Sequence, residues 1–326
     1  MADARTHLQT RDLADITRAV FGTDRTLTRV DRLRGGSKKG VYRLTLDDGG
    51  TGVVYVWSAE ENYWPGAAGD DPTDPFAAAD GIELFAAAHQ HLGDAGVRVP
   101  AILCLDRDRG MAVIEDVRGG TLEELESRRR PRVLERFATT LRTMHAHHAT
   151  GYGRPGTPAV DGPLRDRILH RALLHLAESA ARVEEIAAVA GRVHDELRHR
   201  HAAVRPRDGY TLIHGELGPD HVLVDTGDNP VVIDVEGVMY LDVEWEHVFL
   251  ELRFRDDYRY LVADDLDPDR LRFYRLAMYL SLVAGPLRLL DGDFPHRAAM
   301  RAIADGNTRN VLREIGRPRG GPPISA

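Results

Sequence analysis

The sequence predicts an α+β protein of two lobes, an N-terminal antiparallel five-stranded sheet with one helix followed by a mostly helical C-terminal lobe. Three observations predict it. Apolar residues come in short, strand-like runs through the first 116 residues, they recur at helical spacing over most of the rest, and a polar, glycine-rich connector lies between. The 326 residues fit two domains or one domain of two lobes. With 43% apolar and 29% charged residues, the composition is that of a globular chain rather than a disordered or coiled-coil one. Forty-three basic residues against 51 acidic ones leave a formal charge of −8, so no broad basic surface is available for nucleic acid or anionic lipid. Any polyanion must be held locally. The N-terminus is polar, and the best apolar stretch, 276–285, is about half of the roughly 20 residues a bilayer requires. These features predict a cytoplasmic protein without a membrane partner.

Residues 11–22 read as a short helix, and alternation begins at Thr26 with Leu27, Val30 and Leu33. The run Arg34-Gly35-Gly36-Ser37-Lys38-Lys39-Gly40 interrupts it as a glycine-rich loop. Val41, Tyr42, Leu44 and Leu46 then give a second strand, Asp47-Asp48-Gly49-Gly50 a hairpin turn, and Gly52 to Trp57 a third strand. Residues 58–74 read as a long polar loop, and Pro75 to Leu92 as a helix carrying Glu83. The apolar runs Ala101 to Leu105 and Met111 to Ile114 complete the sheet. Cys104, the only cysteine, lies in the first of them, which excludes an internal disulfide and predicts a small buried apolar residue.

Glu115-Asp116-Val117-Arg118-Gly119-Gly120 reads as the connector, and Thr121 to Glu124 as a capping box opening a new helix. The lobes are therefore expected at 1–116 and 117–316, with the Pro- and Gly-rich 317–326 as a flexible tail. Helices are expected at 132–148, 162–190, 191–201, 242–254, 268–290 and 295–315. Among them stand three short strands, Tyr210 to His214, Val222 to Asp225 and Pro230 to Asp234, whose loops are loaded with His, Glu and Asp.

Lys38 and Lys39 are the only lysines, against 41 arginines, and both fall in the glycine-rich loop. A compact ammonium suits a phosphate-facing loop. The loop alone is a weak signal, because a strand follows it and neither G-x-G-x-x-G nor G-x-x-x-x-G-K-[ST] is present. The β-rich segment is stronger. It reads Leu212-Ile213-His214-Gly215-Glu216-Leu217-Gly218-Pro219-Asp220-His221-Val222-Leu223-Val224-Asp225, followed by Val232-Ile233-Asp234-Val235-Glu236-Gly237. Acidic loops at the ends of adjacent strands let a proton acceptor and a metal-binding carboxylate converge.

This pair of motifs resembles the aminoglycoside phosphotransferase and choline kinase-like family of the protein-kinase-like superfamily, whose signature runs H-G-D-L-x-x-x-N and then an apolar pair, D, x and D or E. The resemblance spans nearly the whole chain. It implies a kinase that moves the γ-phosphate of ATP or GTP, with Mg²⁺, to an alcohol group of a small hydroxylated acceptor such as an antibiotic or other natural product. It implies that Glu216 orients the acceptor hydroxyl and takes its proton, that His214 braces the loop, and that Asp234 binds the metal with Glu236 and His221. Asp242 resembles the acid that pins the catalytic loop. The nucleotide base would meet the backbone of Glu115, Asp116 and Val117, and its phosphates would lie under Gly35, Gly36, Ser37, Lys38, Lys39 and Gly40. A kinase of Ser or Thr in a biosynthetic precursor peptide, and a pseudokinase-like protein that binds a nucleotide or partner without turnover, are the alternatives.

Three positions depart from the signature. Glu216 replaces Asp and reaches about 1.5 Å farther, where catalysis usually demands placement within about 0.5 Å. His221 replaces the metal-binding Asn, although imidazole is a poor ligand for Mg²⁺. The third strand, Val53 to Trp57, lacks the cation that pairs with the phosphates and with the helix glutamate, here Glu83. Lys38 and Lys39 can supply that charge from above, with Arg43 as a rival. Other charged and aromatic features have plainer readings. His145, His147 and His148 sit at a helix end where they compensate its dipole, Asp256, Asp257, Asp264, Asp265, Asp267 and Asp269 form a solvated acidic loop, and Trp245, Phe249, Phe254 and Tyr258 are core.

Overall fold

The computed structural model describes residues 5–34, 36–65, 75–76, 80–157, 160 and 162–316. In chain order its elements begin with α1 (Thr10–Phe21), β1 (Leu27–Arg32), β2 (Gly40–Leu46), β3 (Thr51–Val56), α2 (Ile82–Asp94), β4 (Ile102–Asp106) and β5 (Met111–Ile114). There follow α3 (Arg130–His145), β6 (His148–Ala149), α4 (Leu164–Arg182), α5 (Glu184–Ala187), α6 (Ala190–Ala203), β7 (Tyr210–Ile213), β8 (Val222–Val224) and β9 (Pro230–Val232). The chain closes with β10 (Met239–Leu241), α7 (Val243–Phe254), α8 (Pro268–Asp291) and α9 (Arg297–Gly316). Two compact units interleave in sequence: the first is drawn from 1–66, 78–133 and 220–236, the second from 67–77, 134–219 and 237–326.

The first unit is built on an antiparallel sheet in the order β1-β2-β3-β5-β4. Its central strand β3 is buried almost throughout, because both of its faces are covered. On one face Val54 and Val56 share a core with Tyr42, Leu44 and Leu46 of β2 and with Leu13 and Ile16 of α1. On the other face Tyr55 and Trp57 meet Phe85 of α2, with ring centroids 5.5 and 5.3 Å apart. The hairpin β8–β9 belongs to this unit. It is tied to the connector by the Leu122 amide to the Val222 carbonyl (2.7 Å) and the Val224 amide to the Gly120 carbonyl (3.0 Å), and to the segment between α2 and β4 by the Val232 amide to the Arg98 carbonyl (2.9 Å).

The second unit is mostly helical around a small sheet, β10-β7-β6. Its core gathers Ile168 and Leu176 of α4, Leu197 of α6, Ile213 of β7 and Phe273, Leu276 and Leu280 of α8. Helix α8 starts where it does because Asp267 caps it, accepting from the amides of Asp269 (2.8 Å) and Arg270 (3.3 Å), with Pro268 in the first turn.

Several boundaries differ from expectation. Helix α2 starts at Ile82 rather than Pro75, and the stretch expected as a helix over 162–190 breaks at Val183, whose extended backbone separates α4 from α5. The Thr121–Glu124 box does form, with the Glu124 amide on Thr121 Oγ1 at 3.3 Å and the Thr121 amide on Glu124 Oε2 at 3.5 Å, yet it closes a turn and no helix follows. The helix begins at Arg130 instead, placing Pro131 in a first turn that needs no amide from it. The short strands β6 and β10 carry no readable alternation. Cys104 is half-buried on edge strand β4. The expected tail 317–326 lies outside the described residues.

Candidate active site

Strand β7 delivers the chain to His214, which is fully buried, and Gly215 turns it with φ +89°. A Cβ at Gly215 would lie 3.2 Å from the Gly237 carbonyl, so this turn needs glycine twice over. His214 Nδ1 accepts the Glu216 amide at 3.4 Å, and Glu216 itself is exposed. Glu246 on α7 holds the loop from behind: its Oε2 accepts the His214 amide at 2.5 Å and the Gly215 amide at 3.4 Å. This corrects the expectation that Asp242 pins the loop. Asp242 instead accepts from Arg270 Nε (3.0 Å), Arg207 (3.4 Å) and the Tyr274 hydroxyl. Asp242 and Glu246 lie about one helical turn apart, and only the fold decides which of them reaches the loop. Burial pushes the Glu246 carboxyl up to about 7, against the opposing pull of the amides of His214, Gly215 and Leu217. Beside Glu246, the rings of His247 and His145 lie 5.7 Å apart and tilted by 58°, and burial pulls them down to about 4 and about 3.

The second motif closes the β8–β9 hairpin, where the Ile233 amide donates to the His221 carbonyl at 3.0 Å. Asp234 adopts φ +62°, a left-handed conformation rare outside glycine and tolerated best by Asp and Asn. Its Oδ2 lies 3.5 Å from His221 Nε2, which is also 3.8 Å from Asp220. Its Oδ1 accepts from Lys39 Nζ at 2.6 Å, and Glu236 Oε1 accepts from the same ammonium at 2.5 Å. Lys39 is only 5% exposed and sits 4.7 Å from the centroid of the Tyr55 ring. Burial favours the neutral form of each partner. On Lys39 the attraction of Asp234 and Glu236 outweighs burial, holding the ammonium above the ordinary lysine range.

The glycine-rich loop supplies this lysine by a tight turn: Gly36 has φ +67°, and a Cβ there would collide with the Lys39 carbonyl. Gly35 lies outside the described residues. The two lysines part company, since Lys38 Nζ lies 5.6 Å from the Trp64 ring centroid. Ser37 is held by Trp64, whose indole N–H donates to Ser37 Oγ at 2.8 Å. Below the loop Glu61 is buried against Gly40 and takes bonds from Arg32 (2.7 Å) and the Tyr42 hydroxyl. Glu61 fell within the stretch read as a polar loop, and no local pattern in the sequence marks it.

The remaining candidates are engaged elsewhere. Glu83 is an exposed residue whose Oε1 accepts from Arg107 at 2.8 Å, so the expected pairing with a phosphate lysine is not formed. Glu115 takes a fork of two 2.7 Å bonds from Arg98 and also accepts the Ala101 amide. Asp116 binds Arg43 bidentately at 3.0 and 3.1 Å, which removes Arg43 as a rival phosphate cation, and Val117 is buried. Of the acidic loop, Asp267 caps α8 and Asp269 pairs with Arg272. Trp245 packs between Phe76 and Tyr274, with ring centroids 5.1 and 5.7 Å away.

A family model matches residues 29–285, from β1 to the last turns of α8, and its description is the phosphotransferase enzyme family. The chain belongs to this family. Solved structures show the same fold in other phosphotransferases. A thermostable mutant of aminoglycoside phosphotransferase APH(4)-Ia is 20% identical, with a TM-score of 0.63 over 91% of this chain and 98% of that one. Choline kinase LicA from Streptococcus pneumoniae is 13% identical, with a TM-score of 0.64 over 94% and 98%. Spectinomycin phosphotransferase APH(9)-Ia, in complex with ADP and spectinomycin, is also 13% identical, with a TM-score of 0.61 over 94% and 98%. None of the curated protein sequences matches the chain.

Mg²⁺, the ion expected from the sequence, takes hard oxygen ligands in a near-octahedral shell. Asp234 and Glu236 offer the hard oxygens that Mg²⁺ prefers. Their two negative charges are already half neutralised by Lys39, and no cluster of three or more His, Cys, Asp or Glu among the described residues forms a cage. Asp234, with 41% of its side chain exposed, fits one divalent ion. Glu236, 6% exposed and turned to the ammonium, does not.

Proposed function

We propose that this protein is a nucleotide-dependent O-phosphotransferase that moves the γ-phosphoryl group of ATP or GTP to a hydroxyl of a small molecule. The observation that carries this reading is the ammonium of Lys39 set on the Asp234 and Glu236 carboxylates, in a chain of the phosphotransferase family. Glu216 orients the acceptor and takes its hydroxyl proton. The acceptor oxygen bonds to phosphorus as the bond from phosphorus to the leaving nucleoside diphosphate breaks. Glu246 and His214 hold the Glu216 backbone so that its longer side chain starts from a fixed point. The amides of Gly36, Ser37 and Lys38 offer donors to phosphate oxygens, and Asp234 would hold Mg²⁺, whose charge would offset that of the phosphates. Positioning and charge supply most of the rate in this chemistry. Two similar folds are complexes with ADP and an antibiotic, hygromycin B in one and spectinomycin in the other, which supports a small-molecule acceptor here.

The test is a panel of aminoglycosides, spectinomycin and choline, each incubated with ATP or GTP and Mg²⁺, with phosphorylated product read by mass spectrometry. Transfer should appear with at least one acceptor, and Glu216→Gln should lower turnover by about 10²–10⁴-fold while nucleotide binding persists. Undiminished turnover in that variant removes Glu216 from its role, and nucleotide binding without any product makes the protein a nucleotide-binding relative instead.

A further inference from the structure

We propose that Lys39 is a tethered cation standing in for one of two metal ions, so that the protein loads its nucleotide with a single divalent ion on Asp234 while Glu236 ligates none. The inference rests on the proposed use of a metal nucleotide and specifies how that site is charged.

Glu236 is buried and Asp234, two positions before it on the same loop, is half-exposed, and the buried carboxylate needs compensating charge because one left unpaired away from water is costly. Here the compensation is covalent to the chain. Lys39 Nζ spends one N–H on Asp234 Oδ1 (2.6 Å) and one on Glu236 Oε1 (2.5 Å), and the Tyr55 ring face lies 4.7 Å away. With oxygens packed this closely around nitrogen, no metal ion fits between them unless the lysine leaves. Its backbone is poorly placed to leave. Gly36 abuts the Lys39 carbonyl, Gly40 packs on the Glu61 carboxylate, the Tyr63 amide donates to the Ser37 carbonyl at 2.8 Å, and the Leu33 amide donates to the Val41 carbonyl at 2.8 Å.

Two further residues agree with this. In protein kinases a pair of Mg²⁺ ions is shared between an aspartate and a catalytic-loop asparagine. The residue in that second place is His221, whose imidazole is a poor Mg²⁺ ligand, so this chain keeps a fixed positive charge and lacks a hard oxygen donor at the two positions a second ion would use. Tyr55 on β3 offers the ammonium a ring face, and the cation reaches it from the loop preceding β2.

The experiment counts bound Mn²⁺ on the full chain by the electron paramagnetic resonance of the free ion, with and without AMP-PNP. The wild type should bind one Mn²⁺ per chain with AMP-PNP and none without. Lys39→Met uncovers both carboxylates, so it should bind Mn²⁺ at least tenfold more tightly than the wild type without nucleotide, and two ions with it. The double variant Lys39→Met with Glu236→Gln removes both charges of the pair and should return to one. Two Mn²⁺ on the wild type overturn the proposal whether or not either variant folds, as does a Lys39→Met protein that folds and binds Mn²⁺ like the wild type. Should the wild type bind no nucleotide, the phosphotransferase reading fails, while the nucleotide-free arm still decides the role of Lys39.

Discussion

Glu246 supports the loop that carries Glu216 without belonging to either motif. Its Oε2 gathers the His214 and Gly215 amides. Removing it in Glu246→Ala leaves buried donors unsatisfied, which costs about 1–3 kcal/mol each at most. The expected outcome is a lower midpoint in urea unfolding, together with a fall in kcat that leaves nucleotide affinity unchanged. Glu246→Gln retains an acceptor oxygen and should recover most of both. At this scale the sequence was partly readable: it marked the acidic positions at the start of the helix but not which of them reaches the loop of His214. Asp242 and Glu246 look alike on paper. Their difference is made by β10 pairing antiparallel with β7, which sets Asp242 beside the start of β7 and brings the next turn of α7 back to its end.

Among elements, the sheet was legible and the short strands were not. Strands β2, β3 and β5 declare themselves by β-branched and aromatic runs between turn residues, because a strand buried on one or both faces must be apolar in that pattern. Strands β6 and β10 are two and three residues long, too short for any period, and exist because β7 needs neighbours on both edges. The reach of Lys39 was equally hidden, since 195 residues separate it from Asp234. Helix α8 offers a prediction of its own. Its cap Asp267 also accepts from Arg270 Nη1 at 2.6 Å, so Asp267→Ala should destabilise the protein by about 1 kcal/mol or somewhat more. Chemical denaturation of the two proteins at pH 7 checks it.

At the scale of the described molecule, three histidines that burial holds below their ordinary range give a pH dependence to stability. Burial holds His145 and His175 down to about 3 and His247 to about 4. Below about pH 6.5 the unfolded chain takes up three protons that the folded chain refuses, so stability present above that pH is lost as pH falls toward 4. Each histidine contributes about 1.4 kcal/mol per pH unit in that window. Glu246 acts in the opposite sense: its carboxyl, raised to about 7 from an ordinary value near 4.5, keeps a proton in the folded chain that the unfolded chain has released, so its share of stability is lost as pH rises through 7. Asp80, Glu236 and Asp242, whose carboxyls burial also raises, act with Glu246. Substitution isolates the share of one histidine: in urea unfolding, the free energy at pH 5 minus that at pH 7 should be more positive for His247→Gln than for the wild type.

Because arginine carries nearly all the positive charge, primary amines on side chains occur at two adjacent residues alone, one half-exposed beside Trp64 and the other sealed against acids. An acylating reagent therefore finds a single address on the side chains of this protein, and the order in which the two positions gain mass reports, without any engineered label, whether the loop above the carboxylates is shut or open.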